Sequence, residues 1–297
     1  MKILLTGVDG QLGHELRNAL APLGTLVGIN RQACDLADAD AVRAAVRGAQ
    51  PDVVVNAAAY TAVDGAEKQP ENAFRINGIA PGILGEEARR LGALVVHYST
   101  DYVFDGALDR PYTETDAVAP LNVYGRSKLA GEEALQASGA RHLILRTSWV
   151  VGVHGGNFAR TILRLAAERE ALNVVADQRG VPTTAPLIAA TTALLLRRHG
   201  AMPPSFPCGL YHLAAGGVSN WHEYACHVVR AAIVAGKPLR LRPEAIRPIA
   251  SGDYPLPARR PLNSCLDTTK LRRTFGIELP EWKTALAPVL HQILETT

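Results

Sequence analysis

The first 21 residues of the chain combine a short apolar strand, a glycine-rich turn and the start of a helix. The strand pattern is Lys2–Leu5, and the helical pattern Gln11–Ala21 begins inside the turn. Gly7, Gly10 and Gly13 allow a tight turn, close approach of the backbone to a phosphate, and close packing of the helix on the strand. The free N–H groups of a helix start attract anions. This order of elements predicts a βα unit that binds the pyrophosphate of a dinucleotide.

Apolar runs and helical patterns alternate through the first half of the chain. The predicted strands are Lys2–Leu5, Thr25–Ile29, Asp52–Asn56, Ala93–Tyr98 and His142–Arg146. The predicted helices are Gln11–Ala21, Asp38–Gly48, Glu71–Leu91 and Val123–Ser138. Such alternation indicates right-handed crossovers and a parallel sheet that is buried on both faces. We therefore expect an α/β fold with a doubly wound, Rossmann-type domain.

The pattern becomes less regular after Trp149, which suggests a second, smaller lobe. The predicted elements there are a helix at Asn157–Arg169, a strand at Asn173–Val175, a helix at Pro186–Arg198, a link at Gly200–Gly209, a strand at Leu210–Leu213 and a helix at Trp221–Ala235. Residues 240–265 are rich in Pro and Arg and show little periodicity. We expect residues 1–150 to bind the dinucleotide. Residues 151–297 would form mainly a substrate-binding α/β lobe, with some segments returning to the first domain.

Composition excludes several classes of protein. The chain has 297 residues, 47% of them hydrophobic and 20% charged, which is ordinary for a globular protein. Its net charge of +3 is too small for a protein that binds nucleic acid over its whole surface. The longest apolar stretch, Leu187–Leu196, is about half of what a membrane span needs. Cys34, Cys208, Cys226 and Cys265 have no metal-type spacing and are typical of reduced thiols. A cytoplasmic protein is expected.

The end of the second predicted strand bears on the choice of dinucleotide. Asn30 and Arg31 follow it, where an acidic residue would bind the ribose 2′-hydroxyl of NAD. An arginine there can instead pair with the 2′-phosphate of NADP, although a solvated surface arginine is the alternative. Asp35 and Leu36 fit the adenine end, while Asp35 also fits a cap of the helix that begins near Asp38.

Tyr124 and Lys128 are spaced as i and i+4 on one face of a predicted helix. A nearby ammonium stabilises a phenolate, so Lys128 is expected to lower the pKa of Tyr124 towards the range of a general acid. Thr100 ends the preceding strand, and ligands of open parallel sheets bind beyond the carboxyl ends of strands. Its hydroxyl is thereby placed to bind a carbonyl oxygen beside Tyr124.

Taken together, these residues resemble the extended short-chain dehydrogenase/reductase family. Longer segments are similar to the dTDP-4-dehydrorhamnose reductases within it, and they run nearly the whole length of the chain. These segments are Val55–Asp64, His97–Phe104, Pro120–Gly125, Arg146–Trp149 and Pro257–Ser264.

The resemblance implies that NADPH or NADH reduces the C4 carbonyl of dTDP-4-dehydro-L-rhamnose. Tyr124 would protonate the developing alkoxide, Lys128 would hold the nicotinamide ribose, and Thr100 would fix the carbonyl. The residues expected to bind the cofactor are Gly7, Gly10, Gln11, Leu12, Gly13, Asn30, Arg31, Asp35, Leu36, Ala59, Tyr60, Thr61, Tyr98, Tyr124 and Lys128. Thr100, Asp101 and Trp149 are expected to touch the sugar nucleotide, although Trp149 also suits a core position.

Charge is spread unevenly along the chain. Residues 1–150 carry 14 Lys and Arg against 18 Asp and Glu, whereas residues 230–297 carry 11 against 6. Arg259 and Arg260 lie in a proline-framed turn of this basic segment. Since a nucleoside diphosphate needs cationic partners, we expect them to contact the substrate diphosphate; a solvated pair of arginines is the alternative.

Three positions depart from the family pattern. Asp9 puts a carboxylate inside the phosphate loop, which requires its side chain to point to solvent. Asn30 stands where many members have an acid, so a strict preference for NAD is not expected. Some members are dimers bridged by Mg²⁺ through glutamates. Here Glu15 is present but Pro186 takes the place of such a glutamate, so we predict no tightly bound Mg²⁺.

Two other functions fit parts of the pattern. Nucleotide-sugar epimerases and dehydratases share the fold, but dehydratases add acidic residues after the catalytic threonine, and here only Asp101 follows Thr100. A non-catalytic regulatory subunit, like the β subunit of methionine adenosyltransferase, would not need the intact set of Tyr124, Lys128 and Thr100. The sequence is compatible with a monomer or a homodimer.

Overall fold

A computed structural model describes residues 1–202 and 205–296. Its strands are β1 Lys2–Thr6, β2 Thr25–Ile29, β3 Val53–Asn56, β4 Leu94–Thr100, β5 Arg141–Thr147, β6 Val150–Val151, β7 Leu172–Val175, β8 Arg179–Gly180, β9 Thr183–Thr184, β10 Gly209–His212, β11 Ser219–Asn220 and β12 Ile246–Ile249. Six of them form one parallel sheet in the order β10-β5-β4-β3-β1-β2. All five strands expected in the first half are in this sheet.

Helices cover both faces of the sheet. They are α1 Gln11–Leu20, α2 Ala39–Ala49, α3 Val63–Lys68, α4 Pro70–Phe74, α5 Ala80–Leu91, α6 Val123–Ala137, α7 Phe158–Glu168, α8 Ala185–Ala201, α9 Trp221–Val234, α10 Thr269–Phe275 and α11 Trp282–Glu295. In β1, Ile3 and Leu5 belong to the core with α1 and α8, while Leu4 belongs to the core with α2 and α5. The alternation follows from the two-residue period of a strand. The expected doubly wound α/β fold is confirmed.

The second half of the chain builds another apolar core from α7, α9, α11 and short strand pairs. Its strand β10 joins the large sheet beside β5, with Gly209 opposite Leu143. The sequence patterns did not predict α10, α11 or β12. Prolines explain two of these omissions, because Pro248 lies within β12 and Pro288 within α11, and proline disfavours both kinds of element. The division at residue 150 stays a prediction.

The helix predicted at Glu71–Leu91 is confirmed, but its interior is not regular. The structure has α4, then a π-helical turn at Arg75–Ile79, and then α5. Pro81 in the first turn of α5 has no N–H to donate to the preceding turn. Such π-turns inside helices are often found at functional sites, and this one carries the buried Asn77.

Two residues of the predicted link Gly200–Gly209, Pro203 and Pro204, lie outside the described residues, as does Thr297. Across the parts of the chain that the structure describes, no helix combines the length and the apolar character that crossing a bilayer requires.

A buried ion pair fixes α6 to β5. Arg146 Nε donates to Glu132 Oε1 at 2.9 Å and Arg146 Nη2 to Oε2 at 2.6 Å, with side chains 4% and 2% exposed. The guanidinium also lies 5.1 Å from the ring centroid of Phe104. Since α6 carries Tyr124 and Lys128, this pair helps to set their height above the sheet.

Arg146→Met is expected to lower the free energy of unfolding by about 3–5 kcal/mol, because it leaves the carboxylate of Glu132 buried without its partner. Urea unfolding followed by circular dichroism measures this loss. Arg164→Met is the matched control: it removes an exposed pair with Glu168, and about 1 kcal/mol or less is expected. Equal losses in the two variants would contradict this account.

Candidate functional site

A cleft of about 830 Å³ opens beyond the carboxyl ends of the central strands. Thr6, Ile29, Asn56, Thr100 and Thr147 are the last residues of β1 to β5, and all of them line it. The start of α7 and the start of α9 line it from the second half of the chain. This is the edge at which open parallel sheets bind ligands.

The turn after β1 requires glycine at two positions, because the backbone packs closely there. Gly7 has a φ of +70°, and a Cβ there would lie 2.7 Å from a backbone nitrogen of the loop after β3. A Cβ at Gly13 would overlap the carbonyl oxygen of Gly7, so Gly13 serves helix-on-turn packing, and it does not line the cleft. No side chain caps α1 at Gly10, and its first turn contains no acid. The backbone around Gln11 and Leu12 therefore fits a phosphate.

The side chain of Gln11 joins the phosphate turn to the second half of the chain. Its Oε1 accepts hydrogen bonds from the backbone nitrogen of Gly152 at 2.9 Å and from Nδ2 of Asn157 at 3.1 Å. Asn157 in turn caps α7. These contacts bring Gly155 and Gly156 into the lining of the cleft.

The residues expected to select the dinucleotide lie at the open end of the cleft. Arg31 is 78% exposed and 3.5 Å from the carboxylate of Asp35, so its guanidinium is free to approach a 2′-phosphate. Asp9 is exposed and accepts a hydrogen bond from Asn30 at 3.0 Å, as the phosphate-loop reading requires. Asp38, and not Asp35, caps α2. Asp35 lines the cleft, where its carboxylate pairs with Arg31 and accepts from the backbone nitrogen of Ala37 at 3.0 Å.

Asn77 holds the segment after β3 in place. Its Oδ1 accepts from the backbone nitrogen of Tyr60 at 2.8 Å, and its Nδ2 donates to the Tyr60 carbonyl oxygen at 2.9 Å. Nδ2 also donates to Ser127 Oγ on α6 at 3.0 Å. Ala59, Tyr60 and Thr61 line the cleft as a result. Pro81, in the first turn of α5, is the signal in the sequence for the π-turn that carries Asn77.

Tyr124 and Thr100 lie next to each other in the cleft, where they form a hydrogen bond. Burial raises the pKa of Tyr124 to about 12, the hydroxyl of Thr100 opposes this rise, and Asp101 adds to it. The expectation that Lys128 lowers the pKa of Tyr124 is wrong. The phenol is therefore protonated at neutral pH, which is the form that can donate a proton.

Lys128 is buried and oriented by β4. Its Nζ donates to the Tyr98 carbonyl oxygen at 2.6 Å and lies 3.4 Å from Nε2 of His97. Burial lowers the pKa of Lys128 to about 8 and holds that of His97 well below its usual range. Nδ1 of His97 is 3.1 Å from Nδ2 of Asn56, so the ring is fixed on both sides. Through these contacts the ammonium of Lys128 binds the backbone of β4, and it does not contribute to the pKa shift of Tyr124.

Asp101 is a buried carboxylate at the floor of the cleft. Thr100 donates to its Oδ1 at 2.8 Å, while Oδ2 has no hydrogen-bond partner among the described residues. Burial raises the pKa of Asp101 to about 6, opposed by hydrogen bonds from Ser264 and Thr100. The carboxylate therefore has acceptor capacity left for a ligand that enters the cleft.

Trp149 is half-buried and lines the cleft, with its ring stacked on Trp221. Phe158 and Tyr224 extend this aromatic wall. None of Trp221, Phe158 and Tyr224 was predicted from the sequence to line the site. A usable signal exists, because Phe158 and Trp221 each follow an asparagine that caps a helix, and the first turns of both helices face the cleft.

The structure does not bring Arg259 and Arg260 into the lining of the cleft. Arg259 is exposed, and both guanidinium nitrogens of Arg260 bind the carboxylate of Asp64, at 2.7 and 2.6 Å. Arg31 and Lys128 are the lysine and arginine residues of the described lining. The basic residues of the C-terminal segment therefore do not line the cleft, because the position of a charge in the sequence does not fix the direction of its side chain.

Most of the predicted site residues line one cleft. They are Gly7, Gly10, Gln11, Leu12, Asn30, Arg31, Asp35, Leu36, Ala59, Tyr60, Thr61, Tyr98, Thr100, Asp101, Tyr124, Lys128 and Trp149. Within residues 1–202 and 205–296, no group of three or more His, Cys, Asp or Glu is arranged to hold a metal ion.

Comparison with known proteins gives matches along the whole chain. A family model described as "RmlD substrate binding domain" matches residues 1–295. The dTDP-4-dehydrorhamnose reductase of Escherichia coli K12 is 48% identical over 301 aligned positions, which cover 100% of this chain and 99% of that protein.

Solved structures agree with this result. A dTDP-4-dehydrorhamnose reductase ortholog from Clostridium acetobutylicum superposes with a TM-score of 0.89 at 34% identity, covering 98% of this chain and 99% of that one. The dTDP-4-dehydrorhamnose reductase of Bacillus anthracis, solved in complex with NADP, has a TM-score of 0.85 at 31% identity and full coverage of both chains. The similarity thus includes the second half of the chain as well as the dinucleotide motif.

Asp101→Asn is expected to stabilise the ligand-free protein at about pH 7 but not at about pH 4. The folded-state pKa of about 6 lies above the ordinary 3.8, so ionisation of the buried carboxyl opposes folding increasingly as the pH rises between these values. The gain has a ceiling of about 3 kcal/mol. Urea unfolding at both pH values measures it.

Asp116→Asn is the control with the opposite sign. Arg110 holds the pKa of Asp116 well below its usual range, so this substitution is expected to destabilise the protein at neutral pH and to lose its effect in acid. A stability difference for Asp101→Asn that is independent of pH would contradict the assignment.

Proposed function

Because the chain belongs to the family of dTDP-4-dehydrorhamnose reductases, we propose that it reduces the C4 carbonyl of dTDP-4-dehydro-L-rhamnose to give dTDP-L-rhamnose, with NADPH or NADH as reductant. This is the last step in the synthesis of dTDP-L-rhamnose. The observation that carries the proposal is the convergence of Tyr124, Thr100 and Lys128 at one end of a cleft whose other end has a phosphate-binding turn.

The cleft fits a dinucleotide. The uncapped start of α1, which lines the cleft, suits the pyrophosphate, and Arg31 suits a 2′-phosphate. Lys128 would hold the nicotinamide ribose, and the segment Ala59–Thr61 would cover the cofactor from the side of β3. When bound, the cofactor supplies the hydride for reduction of the carbonyl.

Tyr124 acts as the general acid in this proposal. Its phenol keeps its proton at neutral pH because it is buried, and Thr100 lies beside it to bind the carbonyl oxygen. The Tyr124 phenol then donates to the oxygen on which negative charge develops, and the Thr100 hydroxyl donates to it when its hydrogen turns from Asp101 Oδ1. The proton of Tyr124 passes to that oxygen and completes the alcohol.

Lys128 has an electrostatic role that differs from the one expected from spacing alone. Held by the Tyr98 carbonyl, its ammonium lines the cleft, where it would bind the nicotinamide ribose. To bind the ribose hydroxyls, Nζ of Lys128 must be fixed in position, and this matters more than contact with the phenol. The second half of the chain, from residue 151 onwards, contributes mainly to the site for the sugar nucleotide through its aromatic wall.

We further propose a cytoplasmic location and a monomer or homodimer. All four cysteines are free thiols, three of them buried, which suits a reducing compartment.

Tyr124→Phe is expected to reduce kcat by about 10²-fold or more with little change in either KM, because the phenyl ring keeps the shape of the site but has no proton to give. The assay follows loss of NADPH absorbance with dTDP-4-dehydro-L-rhamnose. Tyr211→Phe is the matched control: it removes a buried phenol on β10 that donates to the Pro207 carbonyl, outside the cleft. Wild-type enzyme that oxidises neither NADPH nor NADH with this substrate would refute the proposed function.

Arg31→Ala is expected to raise the KM for NADPH by about tenfold or more and to leave that for NADH within about twofold, because only NADPH has the 2′-phosphate that the guanidinium can bind. Arg17→Ala, which removes an exposed arginine of α1 outside the cleft, controls for net charge. Equal changes for the two cofactors would show that Arg31 is not the 2′-phosphate contact.

A further inference from the structure

Trp149 has an unusual backbone conformation for a residue with a large side chain. Its φ is +42°, and Gln50 is the other non-glycine residue with positive φ in the described part of the chain. Positive φ is disfavoured for any residue with a Cβ, so contacts with surrounding residues must hold Trp149 in this conformation. Trp149 follows β5 by two residues and lines the cleft with Tyr124 and Thr100.

Two contacts hold the indole of Trp149. The ring of Trp221 stacks on it, with centroids 3.6 Å apart and planes inclined by 15°. Gly180 lies against another part of the ring, so that a Cβ at this position would be 2.6 Å from both Cε2 and Cζ2 of Trp149. Any larger residue at 180 would displace the indole.

One small ribbon supplies both contacts. Strands β8 and β11 are antiparallel, with Gly180 opposite Ser219, and Trp221 follows β11 directly as the first residue of α9. The Nε1 of Trp221 donates to Oε1 of Gln178 at 3.1 Å, just before β8. The spacing between Gly180 and Trp221 is therefore fixed by the pairing of the ribbon.

We propose that Trp221 and Gly180 are positioning residues that hold the indole of Trp149 in one orientation and thereby set the affinity for the sugar nucleotide. The inference rests on the proposed function, in which Trp149 contacts that substrate. Neither residue takes part in proton transfer, so kcat and the KM for NADPH depend on other parts of the cleft.

The first test perturbs the indole from both contacts. Trp221→Leu and Gly180→Ala are each expected to raise the KM for dTDP-4-dehydro-L-rhamnose by about tenfold, because a displaced indole of Trp149 loses its contact with the sugar nucleotide. The KM for NADPH is expected to stay within about twofold. Trp221→Phe keeps an aromatic ring against the indole and is expected to retain most of the affinity for the sugar nucleotide. Folding of each variant is checked by thermal unfolding.

A double-mutant cycle separates positioning from direct contact. If Trp221 acts through Trp149, Trp221→Leu adds little in a Trp149→Leu background, whereas effects that add would overturn the proposal. Trp282→Phe is the matched control, because Trp282 is 3% exposed in the same apolar core and does not line the cleft. A rise in the KM for the sugar nucleotide with Trp282→Phe as large as with Trp221→Leu would also overturn it.

An optical measurement tests the arrangement without turnover. Two stacked indoles give an exciton-coupled circular dichroism band. We expect this band in the wild type and in Trp282→Phe, and we expect it to be lost in Trp221→Phe and Trp149→Phe. Binding of dTDP-L-rhamnose, measured by calorimetry, is expected to weaken with Trp221→Leu. Failure of the proposed function shows in the wild type, whereas failure of this inference shows as an active wild type with unchanged affinity in Trp221→Leu and Gly180→Ala.

Discussion

A parallel sheet buried on both faces places the carboxyl ends of all its strands at one edge, and the candidate site depends on this constraint. Residues that are far apart in sequence, such as Thr6, Asn56 and Thr100, end neighbouring strands and line one cleft. The crossover helices that cover the faces begin at the same edge. The uncapped start of α1 and the first turn of α6 therefore face a common ligand space.

Burial, more than pairing of charges, governs the chemistry of the reactive groups. It raises the pKa of Tyr124, lowers that of Lys128 and keeps His97 neutral, because each shift avoids an unsolvated charge. Hydrogen bonds then fix the positions: Thr100 at the phenol, and the Tyr98 carbonyl at the ammonium. The different roles proposed for Tyr124 and Lys128 follow from these different partners, although the two residues share one helix.

Irregular backbone is found where the chain shapes the cleft. The π-turn at Arg75–Ile79 directs Asn77 to the segment that follows β3, and the positive φ of Trp149 directs an indole to the opposite wall. A strained residue of this kind costs about 1–3 kcal/mol and persists only where its surroundings determine it. The stack on Trp221 and the contact at Gly180 are such surroundings.

Local sequence patterns were sufficient for the strands of the first half, the phosphate turn and the pairing of Tyr124 with Lys128 on one helix. These features depend on the periods of strands and helices and on glycine, which are readable within a few residues. Three kinds of result were not readable in this way: the π-turn within the helix at Glu71–Leu91, the stack of Trp149 on Trp221, and the ion pair of Arg260 with Asp64. Each depends on contacts between segments that are distant in sequence. The sequence by itself determined the doubly wound fold and indicated the residues that we propose for the chemistry. Only the tertiary structure decided their protonation and their partners, because burial and long-range packing set both.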